Sequence, residues 1–186
     1  MFLASKVEEM YAPEINDFVY ITDNAYTAGE IRQMELRILN TLGFNFSRPL
    51  PLHFLRRNSK AGDVDVRQHS LAKYLVEMSL VEYSMVSIPP SLLASAALFL
   101  SVMILEPGAT LSSSWCPSLQ HYSTYTMQSL LPVVCQLAGL LTCRATSRLQ
   151  ATHTKYRASK FLRVAEIEDL DGNIVQKLAV GNLTDL

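Results

Sequence analysis

Glu8 and Glu9 stand side by side near the end of an apolar helical run, LASKVEEMYAPEINDF, residues 3 to 18. Paired carboxylates are the groups that general acid–base chemistry uses. Neighbours on a helix, however, project about 100° apart, which places these two poorly for cooperation on one reacting atom. Their position is also unusual. A carboxylate is favoured at a helix start, and one exposed at the far end costs about 0.3–1 kcal/mol against the macrodipole. Ala12-Pro13 closes the run just behind them. Local rules are broken most often where a residue has another task, so the pair marks a candidate functional position.

The remaining reactive side chains do not converge. His53, His69, His121 and His153 are scattered and lack metal-ligand spacing with one another or with Cys116, Cys135 and Cys143. The three cysteines form no CxxC and read as reduced, intracellular thiols, with Cys135 and Cys143 as small core residues of one apolar helix. His121 reads as a helix-surface or helix-end residue, and Trp115 as a buried anchor at a helix start. The seven glycines build no GxGxxG or GxxxxGK(S/T) loop, and neither GxSxG nor HExxH occurs. No catalytic set, metal site or cofactor is expected, so the chain is not read as an enzyme.

The elements that position these residues are helical. Periodicity predicts helices over residues 1–10 and 14–22, and a third opened by the capping box Thr27-Ala28-Gly29-Glu30 and closed near Gly43. RPLP at 48–51 punctuates the chain. Beyond it, helices are expected over 50–58, 64–84, 90–105, 115–122 and 126–143, with strand-like alternation only after residue 172. The uncharged stretch 91–105 has fifteen residues, short of the roughly twenty that a membrane span requires. It is read as a buried central helix, and no membrane association is expected. The fold class is all-α.

Net charge is −1 over 186 residues, which excludes a general electrostatic pull toward nucleic acid. The distribution is uneven: no acid occurs between Pro107 and Ala165, where Arg144, Arg148, Lys155, Arg157, Lys160 and Arg163 cluster. That run reads as a solvated face, with DNA binding by residues 144–163 as the alternative.

An internal echo organises the chain. Leu3-Ala4-Ser5 of the opening helix matches Leu93-Ala94-Ser95 of the central one, and a threonine, Thr27 or Thr126, opens a later helix in each half. Read as repeats, the second half has five helices and the first three, so two leading helices are absent from the front. Phe2, Leu3 and their neighbours then lack cover, at about 1.5–3 kcal/mol for each large apolar side chain left in water. The first half is not expected to fold well alone.

LASKVEEMYAPEINDFVYITDNAYT, RPLPLHFLRRNSKAG, AKYLVEMSLVEY, SWCPSLQHYSTYT and KYRASKF, in that order, resemble the cyclin boxes of B-type, mitotic cyclins, with FLRR and SKAG pointing to the B type. The resemblance runs to about residue 164. It implies a cyclin fold of two helical repeats: a partial first box over 1–47, a second over 48–164 and a C-terminal tail over 165–186. It further implies a regulatory subunit that binds and activates a cyclin-dependent Ser/Thr kinase as a heterodimer at the G2/M transition, in the nucleus and cytoplasm. On this resemblance Glu9 matches a glutamate at the kinase's mobile helix, Phe18 an aromatic of that contact, and Tyr20 and Ile21 lie beside it. Val7 stands where the family has an aromatic, and Ala12 where it has the first of two prolines. The lysine partner of the glutamate is placed by this reading in the absent first helix, so Met1 is expected to be a late start, a fragment end or a truncated gene start. The rival outcomes are a cyclin-fold adaptor that binds no kinase and an inert or dominant-negative product.

Overall fold

A computed structural model describes residues 1–106, 108 and 110–182 as two compact units, Met1–Arg48 and Pro49–Leu186. Among the described residues all regular structure is helical.

The first unit has three helices: α1 (Phe2–Glu8), α2 (Ile15–Ile21) and α3 (Ala28–Thr41). α1 has no side-chain cap and ends two residues sooner than the sequence pattern predicts. A helix continued to Pro13 would set the proline ring against the Glu9 carbonyl, and the chain leaves the helix at Glu9, with φ −100° and ψ 141°. α2 opens with a capping box in which the Asp17 carboxylate accepts from Glu14 N at 2.8 Å. α3 opens with the expected one, Thr27 Oγ1 accepting from Glu30 N at 3.3 Å and Glu30 Oε2 from Thr27 N at 2.8 Å. The bond from Thr27 N, and then one that the Thr27 hydroxyl donates to the same oxygen at 2.8 Å, hold the Glu30 carboxyl below its ordinary range. Ser5 is the single buried residue of this unit among those described.

The second unit contains α4 (Pro51–Ala61), α5 (Val66–Ser79), α6 (Pro90–Leu105), α7 (Pro117–Ser123), α8 (Met127–Thr142), α9 (Ala151–Tyr156) and α10 (Asn173–Ala179). α6 lies at its centre, against α4, α5 and α8, and every residue from Leu93 to Ile104 is buried. At about 1.5–3 kcal/mol for each large apolar side chain, this helix is the main source of the unit's stability. Among the described residues no helix is long and apolar enough to cross a membrane. Trp115 is 5% exposed, meets Phe99 edge-on at 5.9 Å and donates from Nε1 to Tyr125 O at 3.0 Å, an anchor as expected.

Three expectations need correction. The segment after residue 172 is the helix α10, whose Val175 and Leu178 are fully buried in the core, rather than a strand. The helix expected over 64–84 ends at Ser79 and is followed by a 3₁₀ turn, Tyr83–Met85. Cys143 is exposed at the end of α8 and Cys135 is half-buried, so Cys143 is no core residue.

The internal echo persists in three dimensions. Ser5 and Ser95 are both buried, and each donates to a carbonyl one turn back, Phe2 O at 2.8 Å and Ser91 O at 2.9 Å. Thr27 and Thr126 cap α3 and α8 with near-identical backbone angles, φ −79° in both and ψ 158° and 156°. The order α1, α2, α3 is thus repeated as α6, α7, α8.

Candidate partner-binding site

Glu9 sits one residue beyond α1, its backbone N–H held by Ser5 O at 2.9 Å and its side chain exposed. Among the described residues its carboxylate has no hydrogen bond or ion pair. Val7, Met10 and Tyr11 around it are 52%, 89% and 86% exposed. A free carboxylate among uncovered apolar side chains suits a surface that another protein covers.

Lys6 Nζ donates to Glu35 Oε1 of α3 at 2.8 Å and lies 4.0 Å from the Phe2 ring centroid. Phe2 in turn meets Phe18 of α2 edge-to-face, centroids 5.2 Å apart. One lysine and two aromatic rings therefore tie α1 to both other helices of the unit. The Lys6–Glu35 pair does not involve Glu9. Sequence spacing could not show it, because Lys6 and Glu35 lie on different helices.

Phe18 is half-buried, while Tyr20 and Ile21 are 80% and 69% exposed. Phe18 and Ile21, one helical turn apart, line an open groove of about 620 Å³ with Phe2, Leu3, Met34 and Ile38. Tyr20 and Glu9 lie outside that lining. The structure thus brings two of the four predicted residues together and leaves two on the surrounding surface. No step of covalent chemistry has a home here, and among the described residues no group of three His, Cys, Asp or Glu side chains could hold a metal ion.

Three of the six residues in the basic run of the second unit are paired. Arg144 reaches Asp171, Lys155 reaches Glu77 at 2.6 Å and Arg157 reaches Glu166 at 2.7 Å. Exposed pairs of this kind are the form that a solvated face takes.

The cyclin C-terminal domain family matches residues 49–170, and the cyclin N-terminal domain family matches residues 1–47. The chain belongs to the cyclin family. Its close relatives include the G2/mitotic-specific cyclin-B of Arbacia punctulata, 50% identical over 184 residues, 98% of this chain and 44% of that protein. The protein of the same name from Hydra viridissima is 53% identical over 179 residues, 96% of this chain and 44% of that one. That of Hydra vulgaris is 52% identical over 182 residues, 98% of this chain and 49% of that one. The cyclin chain therefore spans less than half the length of these relatives. The all-helical architecture with its repeated helix order agrees with that membership.

Proposed function

We propose that this chain is a regulatory, non-catalytic subunit that binds a cyclin-dependent Ser/Thr protein kinase as a heterodimer and activates it at the G2/M transition, in nucleus and cytoplasm. The names of its relatives support the mitotic role. Residues 1–47 form the kinase-contact box, 48–164 the second box and 165–186 a C-terminal tail. The observation that carries the reading is the free carboxylate of Glu9, outside its helix, with the exposed Val7, Met10 and Tyr11 near it along the chain. A partner presenting unsatisfied backbone N–H groups at a helix start would meet that carboxylate with a charge-assisted bond, worth about 1.5–3 kcal/mol. Phe18, Tyr20 and Ile21 add apolar area beside it, and the Lys6–Glu35 pair fixes the helix that presents it.

A weakly activating or dominant-negative form is the second reading. It is favoured by the scarcity of buried side chains in the first unit, where a partner surface must be rigid to bind tightly. Pull-down with a purified cyclin-dependent kinase, followed by histone phosphorylation, separates the two. Wild-type chain should bind, and Glu9→Ala should bind at least tenfold more weakly. Equal binding by both removes Glu9 from the contact. Binding without stimulated phosphorylation selects the second reading.

A further inference from the structure

The groove of the first unit leaves one face of α3 open. Ile31, Met34 and Ile38 line it, spaced three and then four residues apart, which is the spacing of a coiled-coil seam. They stand four, seven and eleven residues after the capping Thr27. Leu130, Val133 and Leu137 hold the same places after Thr126, on the helix α8 against which α6 and α10 pack. Those three are no more than 6% exposed, whereas Met34 and Ile38 are 52% and 39% exposed. The seam on α3 is therefore a core-type face that the described helices of its unit leave uncovered.

Charge selects what covers it. Glu30 and Arg37 are exposed, line the same groove and lie seven residues apart along one edge of the seam. The Arg37 side chain has no partner among the described residues, and Glu30 uses only Oε2 in its cap. This edge is acidic at one end and basic at the other, so it is complementary to itself when reversed. A second α3, antiparallel about a two-fold axis beside Met34, sets Ile31 against Ile38 and Glu30 against Arg37 at both ends. A parallel second α3 instead sets Glu30 of each copy beside Glu35 of the other, like charges at the flanking positions that fix helix orientation.

We propose that two copies of this chain pair antiparallel through α3 as an isologous dimer, each seam entering the other's groove. The pairing needs no kinase, so its failure leaves the kinase reading intact.

The test is sedimentation equilibrium of the full chain across the micromolar range. A monomer–dimer equilibrium is expected, with no larger species, because a two-fold contact closes on itself. Met34→Asp should weaken dimerisation at least tenfold while leaving the circular dichroism melt in place. Arg37→Glu and Glu30→Arg should each weaken it similarly alone, and an equimolar mixture of the two should restore the dimer, since every flanking pair is then again of opposite charge. Glu30→Arg also breaks a capping box, but mixing rescues only the charge pairing and not the cap. A chain that stays monomeric, its groove left to a different protein, overturns the proposal, as does a dimer indifferent to Met34→Asp. A mixture that dimerises no better than either variant alone overturns the antiparallel pairing.

Discussion

The two units run the same helix order and differ in what covers their central helix. α6 is enclosed by α4, α5 and α8 and hides twelve consecutive residues, Leu93 to Ile104. α1, its counterpart, buries Ser5, leaves Phe2 and Leu3 half-covered, and exposes Val7. Caps and serine back-bonds are local, so repeated residues reproduce them in both units. Burial is not local. It depends on which neighbours are present, and among the described residues nothing does for α1 what α4 and α5 do for α6. The uncovered unit is also the one that holds Glu9, whose chain neighbours Val7, Met10 and Tyr11 are exposed.

The largest expected break in this contrast comes from truncating a central side chain. Phe99→Ala should cost the second unit about 3–5 kcal/mol, read as a lowered urea midpoint by circular dichroism. Phe18→Ala in the first unit should shift that midpoint little, since Phe18 is only half-buried. Equal losses would show that the two units are stabilised alike. Caps should erase the difference. Thr27→Ala and Thr126→Ala should each cost their helix about 1 kcal/mol, seen as local acceleration of amide exchange.

Smaller again is a pH effect confined to the second unit. Burial, helped by Lys73 and Arg56, lowers the pKa of His69 from its usual 6.5. The unfolded chain then takes up a proton near pH 6.5 that the folded chain refuses, so stability falls as pH drops below that value. His69→Gln should remove this part of the acid loss in urea titrations at pH 5.5 and 7.5. Least of all, Arg157→Ala should move the melt by about 0–1 kcal/mol, as an exposed pair does.

Most of this fold was legible in the sequence, because apolar periodicity and caps are local signals. LAS and the two threonines disclosed the repeat, and the uncharged run disclosed the central helix. What escaped is set by distant partners. α10 carries Val175 and Leu178 on so short a segment that its period resembles alternation, and only the core gives it a helical face. Cys143 fell outside the core because α8 stops at Thr142. In the candidate site, the Glu8–Glu9 pair stood out from its place in the helix, whereas Phe18, Tyr20 and Ile21 came only from the family resemblance. The tie from Glu35 through Lys6 to Phe2 and Phe18 could not be read from residue order, since it joins three helices.

Hydrogen exchange of the full chain with and without saturating cyclin-dependent kinase tests the central claim most directly. The account predicts slowed exchange within residues 1–48, strongest from Lys6 to Ile21, and weaker slowing there for Glu9→Ala at the same kinase concentration. Protection confined to residues 49–182, with the first unit unchanged, would contradict it.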